Sequence, residues 1–164
     1  MAYSMTPQQF LEEVRNYAAT KCALLGHTTD AYAIDRTAIH WEKGYTRRDD
    51  VLWVLAYGNG SSGATFGTRE RPCIEMYAPG QQDKMQMAFT LVHELAHVIT
   101  DNTGHGEKWA VAARMLGIDE KNYAQKEREH DDGGHFRWLD KTFEAFVRGL
   151  PFEIRNGEVS ATNT

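Results

Sequence analysis

The run His93-Glu94-Leu95-Ala96-His97 limits what this chain can become more than any other stretch. Residues four apart on an α-helix differ by about 40° in azimuth and about 6 Å in height, so His93 and His97 leave one face side by side. Two imidazoles so placed can grip one metal ion. A nitrogen-rich site points to Zn²⁺, which in a catalytic setting takes three protein ligands and keeps a fourth position open. His105 follows the second histidine closely and is the best-placed third ligand. Glu94 lies about 100° round the helix from His93, where its carboxylate can reach a water on the metal without ligating. That is the position of a general base, acting on water whose pKa a metal has lowered.

Such chemistry requires a helix at this place. Given the histidine and glutamate content, an accidental HExxH arises in roughly 2% of such chains, so the flanking residues have to decide. Met85, Ala88, Phe89, Val92, Leu95, Ala96 and Ile99 recur at three- and four-residue spacing, the pattern of an amphipathic helix with a buried side. Asp101-Asn102-Thr103-Gly104 then makes a turn that can bring His105 back to the metal. A second helix begins near Gly106, carries Trp109, Ala112, Ala113 and Leu116 on one face, and is closed by Gly117. Trp109 is read as packing behind the ligands, with bulk that can fix the orientation of His105. The noncoordinating nitrogen of each ligand histidine is expected to find a buried partner.

HELAH, a short loop, His-Gly-x-x-aromatic and an alanine-rich helix ending Leu116-Gly117 resemble the SprT-like zinc metalloproteases. They are similar as well to the related Wss1-type (WLM) proteases. The match spans His93 to Gly117, and the gap between second and third ligand is shorter than in the eukaryotic SprT-like proteins. The metzincin pattern is disfavoured, since Thr100 and Thr103 stand where it has a glycine and its next histidine. The resemblance implies an α+β, zincin-like minimal metalloprotease. Its parts would be an N-terminal helix, a small mostly antiparallel sheet, the HExxH helix and supporting helices. It implies one Zn²⁺ per chain on His93, His97 and His105, Glu94 as catalytic base, and a protein or peptide substrate. In that family the strand before the active-site helix can pair with an extended substrate, which implies strand addition along Ile74 to Tyr77. Action on DNA-associated proteins is implied by the resemblance alone, for the chain carries no zinc ribbon or basic tail that would recruit DNA.

Rival readings share the same residues. A zinc-dependent hydrolase of non-peptide amides would use the same water activation. A regulator or toxin-like protease could take Asp119 or Glu120 as third ligand, and a non-catalytic module could keep zinc only to hold its helices. The cluster His130-Asp131-Asp132-Gly133-Gly134-His135 competes with His105 as a source of the third ligand, or offers a second metal site or a proton donor. Its plainer reading is a polar Gly-Gly loop.

With 164 residues, 41% apolar and 25% charged, the chain reads as one domain over residues 1–155 followed by a flexible tail over 156–164. Cys22 and Cys73 form no CxxC pair, and no disulfide is signalled. A net charge of −5 argues against broad affinity for nucleic acid. No basic-then-apolar start and no long apolar window are present, so a cytoplasmic protein without membrane contact is expected.

Along the chain, Thr6-Pro7-Gln8-Gln9 offers an N-cap, a proline at the first helical position and a capping-box glutamine, with Met5 and Phe10 spaced as a staple. The helix that follows has Phe10, Val14, Tyr17, Ala18 and Leu25 as its apolar stripe and stops at Gly26. From Ala31 to Ala78 the pattern shortens to strand-like runs, weak over Tyr32 to Trp41 and firmest over Val51 to Tyr57. Gly58 to Gly63 reads as a loop, and Cys73 to Ala78 as a strand ended by Pro79-Gly80. Trp41, Trp53, Arg47 and Arg48 put aromatic and basic residues near one another, but Asp49 and Asp50 offset the arginines, so core aromatics are the stronger reading. Phe136, Leu139, Phe143, Phe146, Val147 and Leu150 form the stripe of a last helix.

Overall fold

The computed structural model describes residues 5–42, 63–77, 84–101, 104–118, 139–155 and 158–159. Helix α1 (Pro7–Leu24) starts as its sequence dictates. The Thr6 hydroxyl accepts from the Gln9 N–H at 3.1 Å, and the Gln9 side chain accepts from the Thr6 N–H at 3.0 Å. Phe10, Leu11, Val14, Ala18, Ala19 and Cys22 are its buried face. Leu25 does not join the stripe as expected. It is the C-cap, 58% exposed, because the core line runs from Ala18 to Cys22 and Gly26, at φ 89°, then turns the chain away.

Helix α2 (Thr28–Asp35) replaces the strand-like run expected from Ala31. Ala31 and Ile34 fall three apart and bury beside α1, so packing decides where local pattern was weak. The chain then enters β1 (Ala38–Glu42), and β2 (Gly63–Gly67) and β3 (Pro72–Tyr77) complete a sheet of order β1-β3-β2. β1 runs parallel to β3, from Ala38↔Cys73 to Glu42↔Tyr77. β2 runs antiparallel to it, from Gly63↔Met76 to Gly67↔Pro72. The described sheet is therefore mixed, not mostly antiparallel, because β1 reaches β3 by a crossover and only β2 and β3 form a hairpin. β3 is the central strand of the described sheet, with backbone partners on both sides across Cys73 to Met76, so Ile74 to Met76 of the stretch expected to take up a substrate strand offer no open edge there. Gly63 opens β2 instead of closing the loop. Val51 to Tyr57, Arg47, Arg48 and Trp53 lie outside the described residues, while Trp41 packs partly buried against the core.

Helix α3 (Lys84–Ile99) carries HELAH and is the centre of the molecule. Its apolar residues Met87, Ala88, Leu91, Val92, Leu95 and Ala96 are fully buried, and it contacts α1, α2 and the sheet as well as the two helices that follow. Those are α4 (Glu107–Leu116) and α5 (Lys141–Gly149). Gly117, at φ 120°, ends α4 where any Cβ would collide with the Phe143 ring. The last helix is shorter than its stripe predicted. Leu139 pairs in a β-bridge with Ile118, and Asp140 then caps α5 by accepting from the Phe143 N–H at 2.8 Å. Beyond it, β4 (Ile154–Arg155) pairs with β5 (Glu158–Val159), so pairing continues into the segment expected to fray from Asn156. Neither Cys22 nor Cys73 is in a disulfide, and burial pushes the Cys22 thiol up to about 11. No helix among the described residues is long and apolar enough to cross a membrane.

Candidate metal centre

His93 and His97 stand one turn apart on α3, with ring centroids 5.1 Å apart. The third histidine arrives by a tight reversal. Asp101 at φ 56° and Gly104 at φ 91° take left-handed backbone, and Gly106 caps α4, leaving His105 facing back to α3. Nε2 of His105 lies 3.0 Å from Nε2 of His93 and 3.0 Å from Nε2 of His97. Ligands on a tetrahedral zinc, at about 2.0–2.1 Å from the metal, stand roughly 3.3 Å apart, close to this spacing. Each Nε2 carries either a proton or a lone pair, so in no combination of tautomers are both contacts good hydrogen bonds, and with the nitrogens unprotonated their lone pairs face one another. A cation relieves that repulsion, and the three residues are positioned to hold a metal ion.

Trp109 forms the floor. It is 1% exposed, and its ring centroid lies 4.7 Å from that of His93, 5.1 Å from His105 and 5.8 Å from His97. Its indole N–H donates to the His93 carbonyl at 3.2 Å, tying α4 to α3 at a ligand position. The packing role read from the sequence thus extends to all three imidazoles. Burial, with a smaller contribution from His105, pushes the His97 imidazole down to about 4, which holds it in the neutral form that ligates. His97 Nδ1 is buried without a hydrogen-bond partner among the described residues, so the expected partner is not found there.

Glu94 points toward the sheet, on the face of α3 next to the histidines. It is 7% exposed, and the Thr65 hydroxyl donates to its Oε1 at 2.6 Å. Its Oε2 lies 4.0 Å from His93 Nε2. Burial raises this carboxyl to about 7, and the Thr65 hydrogen bond pulls in the opposite direction. Thr65 carried no signal in the sequence, because a threonine on a short strand is ordinary. Arg69 was equally unmarked. Its guanidinium donates to the Ile99 carbonyl at 2.7 Å and to Asp30 at 2.6 Å, which fixes the end of α3 just before the reversal.

No family model, curated protein or solved structure matches this chain. The centre therefore rests on its own geometry. Among the described residues, His93, His97 and His105 are the one group of three or more candidate ligands close enough to share an ion. Asp119, Glu120, His130 and His135 lie outside the described residues. A cavity of about 680 Å³ opens off the end of α3, lined by Arg69, Ile99, Asp101, Lys108 and Val111, and neither Glu94 nor the histidines line it.

Proposed function

We propose that this chain is a zinc metallopeptidase of the kind its HELAH and His105-Gly106 motifs resemble, the SprT-like and Wss1-type proteases. One observation carries the reading. His105 Nε2 lies 3.0 Å from Nε2 of both His93 and His97, and a carboxylate oxygen of the intervening glutamate sits 4.0 Å from His93 Nε2. Nitrogen donors without a hard oxygen favour zinc over magnesium or calcium. Zinc, when bound, supplies a Lewis acid that polarises a carbonyl and makes water a nucleophile near neutral pH.

His93, His97 and His105 would hold that ion, with His97 kept neutral by burial. Glu94 takes the proton from water at Oε2 and passes it to the leaving nitrogen as the peptide bond breaks. Thr65 fills Oε1, leaving the oxygen nearer His93 for the proton. The substrate in this reading is a protein or peptide, and DNA enters only through the resemblance.

The test measures zinc by elemental analysis after a weak-chelator wash, and peptide release from denatured casein with and without DNA, for the parent and Glu94→Gln. About one zinc per chain in both proteins, with peptides released by the parent only, is expected. Equal release by both proteins, or no zinc even when it is supplied, would falsify the assignment.

A further inference from the structure

We propose that Thr65 is a positioning residue that holds the Glu94 carboxylate beside the metal centre and keeps it off the metal. This rests on the reading of His93, His97 and His105 as ligands and Glu94 as base. Thr65 and Gly63 are two apart on β2 and so share the face turned to α3. Gly63 sets the approach. A Cβ there would lie 3.1 Å from Thr90 Cγ2, 3.2 Å from Met76 Sδ and 3.3 Å from Glu94 Cγ, so the bare backbone lets β2 come close. At that separation the Thr65 hydroxyl reaches two oxygens of the same residue, Oε1 of Glu94 at 2.6 Å and its main-chain carbonyl at 3.1 Å. A hydroxyl has one proton, and the shorter contact to the carboxyl takes it. The β-branched side chain allows few χ1 settings, so the strand fixes the direction of that donor.

The consequence concerns what Glu94 would do untethered. Its Oε2 is already 4.0 Å from a ligand nitrogen, and glutamate oxygen is itself a good zinc ligand. A carboxylate that swings onto the ion occupies the position that water needs and ceases to be a base. The ordinary alternative is that Thr65 merely satisfies a buried polar group, which would affect folding and leave the coordination of the metal unchanged.

The deciding measurement is the visible d–d spectrum of the protein loaded with one Co²⁺ per chain, for the parent, Thr65→Val, Thr65→Ser and the double variant Thr65→Val/Glu94→Gln. Thr65→Val should show shifted, weaker bands as a further oxygen joins the ion. Thr65→Ser and the double variant should keep the parent spectrum. Turnover of denatured casein should fall roughly 10- to 100-fold in kcat for Thr65→Val with KM within about threefold, and Thr65→Ser should restore it. Thr65→Ala is run in parallel, so that poor folding of one variant does not decide the result. A parent-like cobalt spectrum in folded Thr65→Val or Thr65→Ala overturns the proposal. If the parent itself releases no peptides while the spectra respond as expected, the peptidase reading fails and the tether stands.

Discussion

The two sides of α3 were built from very different distances along the chain. Toward α4, the helix meets His105 and Trp109, twelve and sixteen residues from His93. Toward the sheet, it meets Thr65, 29 residues from Glu94. The first side holds the candidate ligands and the second holds the candidate base. The same helix therefore separates holding a metal from moving a proton, and variants on its two sides should fail in different ways.

The largest effects should show that separation directly. His105→Ala removes a ligand on the α4 side, so zinc and turnover should be lost together after a weak-chelator wash. Glu94→Gln, on the sheet side, should cut turnover by roughly 10²- to 10⁴-fold while zinc remains near one per chain. Elemental analysis beside a casein assay reads both quantities. Zinc loss in the glutamine variant would join the two sides into one function and break the comparison.

Trp109→Ala comes next. Truncating a fully buried tryptophan costs about 3–5 kcal/mol and here also removes the support beneath three imidazoles. Zinc affinity should drop by roughly 10- to 100-fold, as for loss of other residues that orient ligands. Trp109→Phe keeps much of the packing and loses the N–H donated to His93 together with part of the indole, so its effect on melting and affinity should be much smaller. Equal losses in the two variants would place the whole contribution in what the indole has beyond a phenyl ring.

The difference between the sides also explains how much could be read from the sequence. His93, His97, His105, Gly106, Trp109, Leu116 and Gly117 sit within one short span, where helical period and capping residues report their own geometry. The Thr6 capping box was legible for the same reason. Thr65, Gly63 and Arg69 owe their roles to α3 packing against the sheet, and no local pattern encodes a contact 29 residues away. Helix α2 was missed because Ala31, Ala33 and Ile34 show neither a clear helical nor a clear strand period. The parallel pairing of β1 with β3 was missed because short runs in sequence suggest hairpins, while a crossover is settled by the whole fold.

A pH experiment on the metal-free protein probes both sides at once. Glu94 titrates near 7 in the folded chain against an ordinary 4.5, so between those values the folded state keeps a proton that the unfolded state has lost. Stability from Glu94 thus falls as pH rises through that window. His97, near 4 against an ordinary 6.5, does the reverse: the unfolded chain takes the proton, and stability falls as pH drops through its window. From pH 4.5 to 6.5 the two slopes oppose and should nearly cancel. Glu94→Gln removes one of them. Relative to the parent, its stability should rise with pH by about 2 kcal/mol across the window, allowing for solvent at the mouth of the site. Denaturant midpoints at several pH values check this, and parallel curves for the two proteins would remove Glu94 from the titration.

The smallest expected effect tests the closeness of β2 to α3. In Gly63→Ala the new methyl group meets Thr90, Met76 and Glu94 at 3.1 to 3.3 Å, tighter than relaxed packing allows. The Met76 thioether and small shifts at Thr90 Cγ2 and Glu94 Cγ of a few tenths of an ångström can take up the contact, so the cost should be about 1 kcal/mol. Replacing glycine also restricts the unfolded chain, which offsets part of that loss. The informative quantity is therefore how the loss is shared. A strand moved outward lengthens the Thr65 to Glu94 hydrogen bond while leaving Trp109 and the histidines where they are, so turnover should fall severalfold with zinc content unchanged. Loss of zinc at unchanged stability would mean that strain at β2 passes through α3 to its histidine face, and the two sides would then be mechanically one.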